Sequence, residues 1–210
     1  MYGPLKAHES SRLGDKLEAA WNDQVSHKKT PSLLLAIIKV FYIEFIIYGI
    51  FYLIQEFIVK LSQPLLISKF LKFYEPNQTD IMKEDAYMYG VLIVFFALLN
   101  VLCVHGYYFR VMHLGMKIKI ATSSLIYRKA LKLNRSTLGE TTIGQMVNLL
   151  SNDVGRFYFA AQYIHSLWIA PIETLVIMYL LYTHVGPTGL TGVCFLVLFI
   201  IPQSKLNSVY

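Results

Sequence analysis

The feature that most constrains this chain is an apolar run from Ala86 to Phe109, in which Asn100 and His105 are the only strongly polar side chains before Arg110. At about 1.5 Å per helical residue the run is roughly 36 Å long, enough to cross a hydrocarbon core of about 30 Å. It reads as a transmembrane helix. The helical pattern does not stop at the membrane edge, because no proline occurs between Pro76 and Pro171. Met116, Ile120, Tyr127, Ala130 and Leu131 recur at steps of three and four on one side, while Lys117, Arg128, Lys132 and Arg135 fall on the other. A helix from Asp85 to about Leu133 would measure on the order of 70 Å and protrude far into an aqueous compartment.

Beyond it, Asn134 to Glu140 reads as a turn, and Thr142 with Gln145 three residues later has the pattern of a capping box. The second helix would run through Met146, Val147, Leu149, Leu150, Val154 and Phe157 back toward the bilayer. The result is a helical hairpin whose tip stands off the membrane.

Composition agrees with an all-α membrane protein. Apolar residues make up 55% of the chain and charged residues 15%, fewer charges than a soluble domain carries. The net charge of +6 gathers near the expected membrane edges, so it speaks for topology and not for nucleic acid. Cys103 and Cys194 each sit in an apolar segment, which argues against a disulfide framework.

In chain order, residues 1–39 form a polar arm with an amphipathic helix around Leu13 to Val25, carrying Leu13, Leu17, Ala20 and Trp21. Residues 40–210 form the membrane part. The first span is Val40 to Val59, with Glu44, Gln55 and Glu56 as polar intruders, and continues past a Pro64 kink to residue 72. The second element is 85–133. The third is 143–182, its span Phe157 to Tyr182 interrupted by Pro171. A connector with Gly186, Pro187 and Gly189 leads to a short fourth run, 185–205.

Lys and Arg concentrate before the first span and in the hairpin between spans two and three, so the positive-inside rule puts both in the cytosol. Asn77-Gln78-Thr79 is then an outward-facing glycosylation sequon, in a loop short for modification. Asn134-Arg135-Ser136 also matches but lies on the cytosolic side.

Several stretches resemble one family: Ser32 to Ala36, Gln63-Pro64-Leu65-Leu66, Gly115 to Lys119, Ile126 to Leu131 and, above all, Thr141-Thr142-Ile143-Gly144-Gln145-Met146-Val147-Asn148-Leu149-Leu150-Ser151-Asn152-Asp153-Val154. They look like the first transmembrane domain of the multidrug resistance-associated proteins, the C subfamily of ATP-binding-cassette exporters. The likeness runs from about Met1 to Ile201 and is nearest to short members without an extra N-terminal membrane domain. It implies a partial type-1 exporter domain with four transmembrane helices and a long cytosolic hairpin. The hairpin tip, Ser136, Thr137, Leu138, Gly139, Glu140, Thr141 and Thr142, would dock on a nucleotide-binding domain. Partners implied are the lipid bilayer, the remaining transmembrane helices, the nucleotide-binding domains with their ATP and Mg, and small organic anions. The location implied is the plasma membrane, with a cytosolic N-terminus.

The departures from the family pattern are four spans where six are expected and no nucleotide-binding domain, so the sequence reads as a fragment, a truncated splice product or a shortened gene model. Its start falls inside the family's arm. Gly139 to Met146 has the glycine spacing of a phosphate loop, but Gln145 and Met146 replace the required Lys and Ser or Thr. No catalytic residues, resident cofactor or metal are expected in this chain. Two functions stand: one wall and one lever of an exporter of amphipathic organic anions, conjugates or drugs, or a membrane fragment that interacts or interferes with other helices.

For substrate contact, Lys60 lies four residues after Glu56, which fits an intrahelical ion pair or a snorkelling interface lysine. In the resembling exporters a cation here faces the cavity. Tyr108 and Tyr163 fall where the family places aromatic cavity residues, and helix packing or the aromatic belt serves equally well for them. Trp168 fits packing as well as substrate contact, and His165 fits a helix-to-helix hydrogen bond. Glu173, Glu44 and Arg110 should avoid lipid, with Arg110 anchored at the membrane edge.

Overall fold

A computed structural model describes residues 9–76, 82–132 and 140–207. All regular structure among them is helical: α1 (Ser10–His27), α2 (Leu33–Ile54), α3 (Leu61–Lys72), α4 (Lys83–Lys132), α5 (Glu140–Asn148), α6 (Val154–Val185) and α7 (Pro187–Asn207), with π-helical turns at Gln55–Lys60 and Leu149–Asp153. The chain divides into two compact units, Met1–His165 and Ser166–Tyr210. The helices Leu33–Lys72, Lys83–Lys132 and Gly144–Val185 are long and apolar enough to cross a membrane. The fourth expected span, 185–205, falls largely on α7, which is not among these three helices of the described residues.

In the first unit, α1 is amphipathic as its sequence requires. Leu13, Leu17, Ala20 and Gln24 recur at helical spacing and are buried, and the helix ends before Pro31, whose ring disfavours helix in the residue ahead of it. α2 starts at Leu33, earlier than Val40, because Leu33 to Ile38 form an unbroken apolar stretch that one lysine, Lys39, does not interrupt. It is apolar all round, and Ile43, Ile46, Ile47 and Ile50 are each 56% exposed, the habit of a helix solvated by lipid.

The sequence puts the irregularity of this span at Pro64. The structure puts a π turn upstream, at Gln55–Lys60. Pro64 has no N–H for the carbonyl of Lys60 and its ring crowds that group, so the turn that ends there widens.

α4 is a continuous 50-residue helix, about 75 Å long, with Glu84 and Asp85 in its first turn, where the helix dipole favours acids. Its covered stripe is Tyr107, Val111, Leu114, Gly115, Ile118, Ala121 and Thr122. Of the expected apolar side, Met116, Tyr127 and Leu131 are 38%, 59% and 69% exposed, while Ile120 packs against the core. From the charged side, Lys117 and Arg128 are drawn into packing, at 18% and 28% exposure, and Lys132 stays 74% exposed. Leu114, Ile118 and Ala121 form a core with Leu13, Leu17 and Ala20 of α1 and Ala36, Ile37 and Phe41 of α2.

The chain then returns alongside α4. A Cβ on Gly115 would lie 3.1 Å from both Cα and O of Tyr158 and 3.3 Å from Cβ of Ala161, so the lack of a side chain is what lets the two helices touch. α5 begins at Glu140, two residues before the expected Thr142 cap, and Thr142 lies inside the helix. The π turn Leu149–Asp153 falls in the stretch that carries the strongest family resemblance. There Asn152 Nδ2 donates to Asn148 Oδ1 at 2.7 Å and Ser151 Oγ to the Val147 carbonyl at 2.6 Å.

In the second unit the connector shrinks to one residue. Gly186 has φ 79°, the left-handed value that ends a helix cheaply only in glycine. Pro187 starts α7 at once, its missing N–H costing nothing at a helix start.

Candidate functional site

Two groups of polar side chains stand out against the apolar helices. The first lies within the spans. Gln55 Nε2 donates to Asn100 Oδ1 at 2.8 Å, tying the π turn of the first span to the middle of α4. In the sequence Gln55 stands out only as a polar intruder in the first span, and Asn100 as one in the second. Hydrocarbon offers neither a partner, so pairing across helices is how both are accommodated. One turn on, Lys60 Nζ contacts Glu56 Oε2 at 2.5 Å, with the carboxylate side chain 6% exposed and the lysine 48% exposed. The intrahelical pair is therefore formed, and the lysine keeps an open side.

The aromatic residues flank this pair. Tyr107, not its neighbour Tyr108, is buried, at 1% exposure. It stacks on Tyr52 with centroids 4.4 Å apart and lies 6.1 Å from the His165 ring, which also meets Phe45 at 5.9 Å. Tyr108 touches Tyr107 edge-on at 5.5 Å and is 39% exposed. Tyr163 is 60% exposed. Trp168 belongs to the second unit and is 44% exposed. The burial pattern that separates Tyr107 from Tyr108 is invisible in a sequence where the two stand side by side.

The second group joins the arm to α4. Arg128 Nη1 donates to Asp15 Oδ1 at 2.6 Å and Glu18 Oε2 at 2.9 Å, its Nη2 to the Ser11 carbonyl at 3.2 Å, and Lys132 Nζ to Glu18 Oε1 at 3.0 Å. The Arg128 hydrogen bond, with Lys132 behind it, holds the Glu18 carboxyl below its ordinary value, and the two carboxylates push the guanidinium up. Lys39 does the same to Asp23, across a 2.5 Å contact. Higher on the same face, Lys117 Nζ reaches both oxygens of Glu44 at 3.0 Å. Glu44 thus faces protein, and Arg110 caps the ring of Phe51 at 5.8 Å.

Of the tip residues, Ser136, Thr137, Leu138 and Gly139 lie outside the described residues, as does Asn77. Glu140, Thr141 and Thr142 form the first turn of α5. That turn bears on ATP. A phosphate loop holds its N–H groups splayed ahead of a helix, whereas Glu140 to Met146 are already wound into α5. Neither the residues nor their conformation fit a nucleotide phosphate.

Residues 45–210 match the family described as the ABC transporter transmembrane region. Over 216 residues the chain is 33% identical to human ATP-binding cassette sub-family C member 4 and 34% identical to its mouse counterpart; both alignments cover 100% of this chain and 16% of the relative. It is 32% identical over 211 residues to the probable multidrug resistance-associated protein lethal(2)03659 of Drosophila melanogaster, covering 99% of this chain and 15% of that protein. The chain spans about one sixth of the length of these relatives. An unbroken helix of this length, leaving an apolar span for a charged extension that a second helix accompanies, is the architecture such a family predicts, and the chain belongs to the ABC transporter transmembrane region family, in its multidrug resistance-associated subfamily C.

Proposed function

We propose that this chain supplies one wall and one lever of an ATP-driven exporter of amphipathic organic anions, conjugates or drugs at the plasma membrane. Residues 1–39 act as a cytosolic arm and 40–210 as part of the transmembrane domain. Nucleotide-binding domains elsewhere in the transporter would bind ATP and Mg. Their closure would push on Ser136 to Thr142, and α4 would carry the displacement into the membrane as a packed unit.

The observation that carries this reading is the unbroken course of α4 from the apolar span through Lys132. Below Arg110 the arm is fastened to it through Arg128 and Lys132, and the returning helix touches it at Gly115. Lys60 supplies the positive charge of the substrate path, with Tyr108, Tyr163 and Trp168 as aromatic surfaces for the apolar part of an amphipathic anion.

Accessibility labelling tests the lever. Single cysteines at Lys117 through Arg135, in sealed cells, should react only with a permeant reagent. Reaction with an impermeant reagent from outside removes the lever and the cytosolic arm together.

A further inference from the structure

Between the arm and the first span lies a cavity of about 180 Å³ that the transport reading leaves without a role. Its cationic wall is Arg12 and Lys16 of α1 and Lys117 of α4, and its apolar floor includes Val40 and Phe41 of α2. Its one acid, Glu44, is already engaged by Lys117 through both oxygens. Arg12 and Lys16 are exposed, and among the described residues neither forms an ion pair. Two unneutralised cations therefore face one small cavity. Lys16 and Val40 also line a second groove of about 410 Å³, where Lys39 is paired with Asp23.

Depth decides what such a cavity meets. The apolar run of α4 ends at Arg110, whose guanidinium sits over Phe51. Lys117 lies two turns further on, about 10 Å beyond the hydrocarbon edge, in the layer occupied by lipid headgroups. Beyond Phe41 and Glu44, α2 carries the exposed Ile46, Ile47 and Ile50.

We propose that Arg12, Lys16 and Lys117 form a binding site for the headgroup phosphate of an anionic phospholipid, which would fasten the arm to the membrane surface. Val40 and Phe41 meet the glycerol end, and the lipid is the class that the cytoplasmic leaflet supplies. The choice of leaflet rests on the cytosolic placement proposed above. Binding itself does not, so a binding assay in micelles and the labelling experiment fail independently.

The test is native mass spectrometry of the chain in neutral detergent, titrated with short-chain phosphatidylserine, with phosphatidylcholine and inorganic phosphate as separate probes. Phosphatidylserine should be retained well above phosphatidylcholine, and inorganic phosphate should not compete at matched concentration. Arg12→Gln and Lys16→Gln should each lower retention about fivefold, with helix content by circular dichroism unchanged, since neither side chain holds an ion pair among the described residues. Lys28→Gln with Lys29→Gln removes equal charge from the neighbouring exposed loop and should change retention little. Equal retention of the two lipids, equal loss from the loop variant, or displacement by inorganic phosphate each overturns the site.

Discussion

Arg128 of α4 and Glu18 of α1, 110 residues apart, are joined by a 2.9 Å hydrogen bond, and the same nitrogen reaches Asp15. The arm is thus held by a charged fork above a buried stripe of Leu13 and Leu17. Without the guanidinium, Asp15 and Glu18 stand three residues apart as like charges on one helix face. Amide exchange across Ser10–His27 should accelerate in Arg128→Ala, and less in Lys132→Ala, whose side chain is 74% exposed. Exchange unchanged in both would mean that the apolar stripe alone holds the arm.

Acid should release the same contact. Arg128 and then Lys132 lower the Glu18 pKa from its ordinary 4.5, so in the folded state it lies below the unfolded value. Its stabilisation is then complete above the ordinary carboxylate value and is lost as pH falls through the lowered one. Asp23, lowered by Lys39, adds in the same direction. Arm exchange, corrected for its intrinsic pH dependence, should stay level from neutral pH to about pH 5 and rise below it, with a smaller rise in Glu18→Gln. A step near neutrality would point to another titrating group.

Much of this was legible in the sequence, for a physical reason. Ala86 to Phe109 can satisfy its backbone in lipid only as a helix, and the lack of proline up to Pro171 leaves nothing to stop that helix at Arg110. What was not legible depends on partners from distant parts of the chain. The sequence marks Lys117, Arg128 and Lys132 only as the side opposite the apolar residues, and it is the position of Asp15, Glu18 and Glu44 that pairs all three and draws Lys117 and Arg128 into packing. Gln55 and Asn100 were visible as anomalies but not as a pair, since nothing local sets the register between two apolar helices. The π turn at Gln55–Lys60 was hidden because proline marks a distortion whose location the neighbouring turns decide. For Ser136 to Gly139 and Asn77 the sequence reading stands by itself.

Gly115→Ala should separate the two long helices. The added methyl meets the Tyr158 backbone, which cannot rotate away as a side chain would, so overpacking should cost about 1–3 kcal/mol. Gly90→Ala, whose added methyl would meet a Phe70 ring carbon at an ordinary 3.6 Å, is the matched control. Thermal unfolding in detergent should show loss at Gly115 only, and equal effects would mean the close approach is not a tight one.

The Gln55 to Asn100 bond predicts coupling in a double-mutant cycle. Gln55→Leu and Asn100→Leu each strand one polar partner, and the double variant strands none. The coupling energy should be about 0.6 kcal/mol and at most about 1.7 kcal/mol, the range for side-chain bonds between helices in membranes. Strict additivity in denaturant titrations of the four proteins would show that the contact adds nothing.

Lys60 offers the sharpest test of substrate charge, because its neighbour provides a built-in reversal. In a complete exporter carrying this chain, Lys60→Ala should weaken the apparent affinity for anionic substrates about tenfold or more, the worth of one hydrogen bond to a charged group. Neutral substrates should be little affected. Glu56→Gln removes the carboxylate that competes for the ammonium at 2.5 Å and should shift anionic substrates the other way, while Lys60→Arg keeps the charge and most of the transport. Vesicle uptake of a matched anionic and neutral pair reads all three. Should both substrates fall equally in Lys60→Ala, the lysine serves the π turn through Glu56 and not the cargo.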